Sequence, residues 1–140
     1  MIRDFVEFNA GFKAEPLEEG PDIGAPTEGN LLISAFAEHL KKEGFTVSDI
    51  SSYEGYGWEF TASKSKKRIW CMVQCSDKWL AITRDSSGII SRLFGDPDSV
   101  HQRVCLGIHQ VLTTDSRFSA PMWFSRKDYN SKALGSSSPL

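Results

Sequence analysis

Hydrophobic positions change their spacing along this chain, and the changes mark out its elements. Between residues 30 and 44, Leu32, Ile33, Phe36, Ala37 and Leu40 form one apolar stripe at helical spacing. Asn30 stands where an N-cap belongs, Gly44 where a left-handed C-terminal cap belongs, and Lys41 and Lys42 favour the negative end of the helix dipole. The spacing then drops to two. Residues 45–50 read as a first strand, and in the next Tyr56, Trp58, Phe60 and Ala62 alternate with Gly57, Glu59 and Thr61. Lys64-Ser65-Lys66-Lys67 reads as a turn, 69–75 as a central strand apolar on both faces, Ser76-Asp77-Lys78 as a second turn and 79–83 as a fourth strand. Connections this short allow only antiparallel pairing.

Residues 89–94 fit either a fifth strand or a helical turn. Asp96-Pro97 then opens a second helix, with Asp96 as cap, Pro97 at the first helical position and Asp98 in the first turn. Its predicted buried stripe is Val100, Val104, Gly107, Ile108, Val111 and Leu112, with Gly107 allowing a close approach to the sheet. Pro121-Met122-Trp123-Phe124 reads as an edge strand, and 125–129 as a single helical turn. The expected fold is α+β: a four- to five-stranded, mainly antiparallel sheet with two main helices packed on one face.

The ends of the chain lack such periodicity. Phe5, Val6, Phe8 and Phe12 are placed to cover a sheet edge, while Pro16, Pro21 and Pro26 forbid a continuous helix or a central strand. The expected organisation is an acidic, Pro/Gly-rich arm over 1–29, one domain over 30–130, and a Ser-rich disordered tail over 131–140. A length of 140 residues and 40% hydrophobic content suit one core, and sixteen aromatic residues can fill it without disulfides or metal. No apolar run reaches the ~20 residues of a membrane-spanning helix, and acids interrupt the first residues where a signal peptide would be apolar. Three cysteines suit reduced thiols. These features predict a cytoplasmic protein with no membrane partner.

Motifs for chemistry are sparse. Gly55 and Gly57 flank a tyrosine inside a strand, which is no phosphate loop. Cys71 and Cys75 lie ~13 Å apart if their segment is extended, too far to share an ion. His101, Cys105 and His109 recur every four residues on the second helix, at the border between its apolar stripe and solvent. They are weak metal candidates, because all three span ~12 Å along the axis and adjacent pairs lack further ligands. Cys105 with His39 and an acid is a conceivable nucleophilic set, but a mid-helix thiol lacks the cationic setting that makes a thiolate. No catalytic residue, metal or cofactor is therefore assigned. Lys64, Lys66, Lys67 and Arg68 with Trp70 nearby could grip phosphates, yet the acidic first half argues against nucleic acid and for a solvated turn.

Charge is the strongest surface signal. Residues 1–60 hold 12 acids against four bases, and residues 61–140 hold 6 acids against 12 bases. Glu15, Glu18, Glu19, Asp22 and Glu28 make a single-sign run, and Tyr53 and Tyr56 follow as exposed-strand candidates. Acids that steer encounter and rings that supply anchor area suit capture of a basic protein.

The order helix, antiparallel meander, helix and closing strand ends in Leu112-Thr113-Thr114-Asp115-Ser116-Arg117-Phe118 and Met122-Trp123-Phe124-Ser125-Arg126-Lys127-Asp128-Tyr129. In outline over 30–130, it resembles the small bacterial immunity proteins that neutralise secreted antibacterial toxins. The resemblance implies a cytoplasmic antidote that masks a toxin domain, a basic one given the acids here, and it carries no functional residue across. Two other readings stay open: a secretion chaperone that binds an effector segment as a dimer, and a small enzyme with an unrecognised carboxylate site.

Overall fold

The meander forms where the two-residue period places it. In the computed structural model, which describes residues 2–88 and 99–140, strands β4 (Gly57–Lys64), β5 (Lys67–Cys75) and β6 (Trp79–Asp85) pair antiparallel in unbroken register. Ser65 and Lys66 both take left-handed backbone angles, as a two-residue hairpin turn demands. The predicted strand over 45–50 is instead two short pieces, β2 (Thr46–Val47) and β3 (Ser51–Tyr53), each paired to β4.

The chain's first strand is the main correction. β1 (Phe5–Ala10) does not cover an edge; it lies inside the sheet between β6 and β7 (Phe118–Phe124), in the order β2-β4-β5-β6-β1-β7 with β3 also on β4. Seven strands, not four or five, form the sheet among the described residues. Val6 and Phe8 are buried in the core, and Phe5 and Glu7 alternate to the opposite face.

Helices α1 (Gly29–Lys42) and α2 (Ser99–Thr114) bury their stripes in the core cluster they share with Val6, Phe8, Phe60, Ile69 and Trp123. The helical turn expected at 125–129 forms a third, short helix beside the two main ones, α3 (Arg126–Asn130), capped by the Ser125 hydroxyl, which accepts from Asp128 N at 3.1 Å. Its Tyr129 ring meets Phe5 and Phe124 on the face away from α1 and α2. Asn30 does not cap α1, which starts one residue earlier; its side chain accepts from Leu31 N instead. At the other end Gly44 N donates to Lys41 O and Phe45 N to Leu40 O, the paired bonds of a Schellman cap. Gly107 serves helix–helix rather than helix–sheet packing, since a Cβ there would lie 2.9 Å from Leu40 Cδ2. The ambiguous 89–94 segment and the Asp96-Pro97 helix start lie outside the described residues.

Neither terminal segment hangs free. Residues 11–28 close into a loop through Thr27 N to Glu15 O, Glu28 N to Lys13 O and a Pro16–Pro26 bridge, with Ala25 fully buried. Past residue 131, Trp123 and Ser136 exchange two backbone hydrogen bonds of 2.7 Å, and Arg3 N donates to Pro139 O. Both departures have one cause: backbone groups that local periodicity leaves unassigned find partners across the fold.

The basic hairpin is only half solvated. Lys67 is 5% exposed, and its amine has no hydrogen-bond partner among the described residues. Lys64 donates to Glu43 O at 3.3 Å and lies over the Phe45 ring. A buried amine without a partner costs about 1–3 kcal/mol, and methionine has a similar shape without that cost. The Lys67→Met variant is therefore expected to unfold at higher urea concentration than the wild type. A lower midpoint would mean that the amine is held by a stabilising bond.

Candidate protein-binding surface

The acidic loop and the tyrosine turn, thirty residues apart in the chain, are neighbours in the fold. Leu17 N donates to Ala25 O and Gly24 N to Leu17 O, which pinches residues 18–23 into a tip. That tip rests on the β3–β4 turn: a Cβ on Gly24 would lie 2.3 Å from Gly55 O, and one on Gly55 would lie 3.4 Å from Ile23 O. Glu54 and Gly55 take left-handed angles, and Tyr56 N donates to Tyr53 O, so the turn presents both tyrosines beside the loop. Below the contact, Trp58 Nε1 donates to Pro26 O at 2.7 Å and anchors the loop's return limb to β4.

The tip that carries Glu18, Glu19 and Asp22 is thus brought to the turn that carries Tyr53 and Tyr56, with Glu18 and Glu19 exposed. Glu15 is exposed at the loop's stem. Glu28 does not belong to the surface: its carboxylate accepts from Lys13 N at 2.7 Å and closes the loop base.

Sequence reasoning missed four residues here. Ile23 is 57% exposed beside Tyr56, itself 45% exposed. On the sheet face opposite α1 and α2, Trp70 meets Tyr53 at 5.2 Å between ring centroids and donates from Nε1 to Glu59 Oε1 at 3.0 Å. Arg84, its cross-strand partner, lies 5.4 Å over the Trp70 ring. Trp70 falls out of phase with Ile69 and Cys71, and that alternation was the available signal for a second, open face. No Lys or Arg occurs in residues 14–40 or 43–63, so both segments that meet here are free of bases.

Of the His101, Cys105 and His109 trio, His101 and Cys105 are buried rather than at a solvent border, while His109 keeps a border position. His101 Nε2 and Cys105 Sγ both meet Thr83 Oγ1, at 2.8 and 3.4 Å, and that hydroxyl donates to Asp4 O. His109 Nδ1 accepts from Trp123 Nε1 at 3.0 Å. α2 packs on both the sheet and α1, so its buried surface is wider than one stripe. No group of three or more His, Cys, Asp or Glu among the described residues stands where it could hold a metal ion. Burial pushes the Cys105 thiol up to about 12, and His39 pairs with Glu43 rather than with Cys105.

Two clefts lie elsewhere. One of about 410 Å³ runs between α1 and the end of α2, beside Glu38, His39, Lys42, Asp115 and Arg117. Several of its charges are engaged with one another or with near neighbours: Arg117 with Asp115 at 2.6 Å, Glu38 with Lys41, and His39 with Glu43. The other, about 480 Å³, lies between Glu7, Phe124 and α3.

The described residues thus define an α+β protein with an open antiparallel sheet, two long helices on one face, and an acidic, ring-bearing corner. No helix among them is long and apolar enough to cross a membrane. No protein-family model matches the chain, and neither the curated proteins nor the solved structures hold a significant match.

Proposed function

We propose that this is a non-enzymatic binding protein, an immunity protein of the cytoplasm that blocks a cognate bacterial toxin by direct contact. The observation that carries the reading is the seating of the acidic tip on the Tyr53–Tyr56 turn. Loop carboxylates attract a basic domain from a distance, while Ile23, Tyr56 and Tyr53 offer apolar area that rewards close contact. The loop is tied at its stem and at its tip, so little ordering entropy is lost on binding.

The test is co-purification with the product of the neighbouring gene, followed by a salt series. Association is expected to slow as salt rises, and Glu18→Gln with Glu19→Gln is expected to slow it about ten-fold at low salt. Binding that ignores salt would remove the steering role of the loop. The enzyme reading has one observation in its favour, the cleft beside His39 and Asp115, whose size suits a small ligand. Turnover of a small substrate that is lost in His39→Gln would establish it.

A further inference from the structure

Resting on that binding reading, we infer that the Tyr53–Tyr56–Trp70 ledge seats an arginine side chain of the partner. The three rings form a continuous run, with Tyr53 against Tyr56 at 5.6 Å and against Trp70 at 5.2 Å. Ring faces attract cations, and a planar guanidinium stacks on them better than an ammonium does. Two carboxylates flank the run and are oriented by it: Tyr56 OH donates to Glu54 Oε2 at 3.3 Å and Trp70 Nε1 to Glu59 Oε1 at 3.0 Å. In each, the second oxygen has no hydrogen-bond partner among the described residues and can accept from an incoming donor.

The ledge already holds one guanidinium. The chain's own Arg84 lies over Trp70, which shows the ring's capacity for this group on one side. The acidic tip next to Tyr56 supplies charge complementarity, since neither segment that meets there contains a base. Arginine is favoured over lysine because its fork can stack on a ring and bond a carboxylate at once.

The experiment titrates the full chain with the blocked peptide Gly-Arg-Gly-Arg-Gly and follows the Trp70 indole N–H by NMR. Matched peptides carry citrulline, which keeps the shape and loses the charge, or lysine. The arginine peptide is expected to move the Trp70 signal and leave that of Trp123 in place. The lysine peptide should bind about five-fold more weakly, and citrulline should cause no shift. Glu59→Gln should weaken the arginine peptide about five-fold without changing the fold. An unmoved Trp70 signal, or equal shifts with citrulline, would overturn the inference, and neither outcome depends on a variant that folds. A captured partner whose affinity ignores Tyr53→Leu and Glu59→Gln would also overturn it, while leaving the antidote reading intact. Arginine binding at Trp70 in a protein that has no toxin partner would leave the seat standing and sink the antidote reading.

Discussion

Gly24→Ala is expected to destabilise the protein by about 2–4 kcal/mol and to weaken partner binding more than ten-fold. Two effects combine at this position. Its backbone sits at φ +92°, which residues with a Cβ rarely adopt, and the new Cβ would lie 2.3 Å from the Gly55 carbonyl oxygen. Both contacting groups belong to backbone, so no side chain can swing aside. The loop tip must lift from the turn, which separates the acidic tip from the turn that carries Tyr53 and Tyr56. Gly20 supplies the control: its φ is +91° and nothing lies within 4 Å of its Cβ position. Gly20→Ala is therefore expected to show the backbone cost alone, about 1–2 kcal/mol, with partner affinity nearly unchanged. Urea midpoints and affinities of the two variants, side by side, measure the contact. If both lose the same amount, the docking of loop on turn contributes nothing.

Trp123→Ala is expected to cost about 3–5 kcal/mol, a large share of the 5–15 kcal/mol that holds a typical domain together. Trp123 is fully buried on β7, the largest such side chain among the described residues, and it lies where β1, β7 and α2 meet. Trp123→Phe keeps much of the volume but removes the donor to His109 Nδ1, a loss of about 1 kcal/mol because His109 retains some access to water. The same bond makes stability depend on pH. Burial lowers the pKa of His109 from 6.5, and its Nδ1 can accept from Trp123 only while it carries no proton. Protonation is thus easier in the unfolded chain. The stabilisation is complete above the unfolded value and is lost as pH falls through the lower, folded one. Midpoints of the wild type are expected to fall between about pH 7 and pH 5, and a His109→Asn variant should show a flatter profile. Equal slopes would place the pH dependence at other groups.

Much of the fold was legible because it is local. The stripe from Leu32 to Leu40, the cap at Gly44, the alternation from Tyr56 to Ala62 and the short turns each depend on residues a few positions apart. The helical turn over 125–129 is read the same way, and the structure starts it one residue later, with Ser125 as its cap. Half of the candidate surface was also visible, since five acids without a base and two tyrosines are composition, and composition does not need a fold.

What the sequence by itself determined is therefore the set of local elements, their antiparallel pairing within the meander, and the sign of the charge on the loop. Only the tertiary structure decided where β1 goes, because pairs such as Phe5 with Phe124 join residues more than a hundred positions apart, and no periodicity encodes them. It alone turned His101 and Cys105 inward, since a residue at the edge of an apolar stripe is buried or wet according to what packs on its flank. It buried Lys67 and left Lys66 exposed on the same hairpin. It alone set Gly24 against Gly55, and so placed the acids beside the rings. Local propensity acts through neighbours in the chain; the position of a side chain relative to a distant surface is set by which surfaces exclude water together.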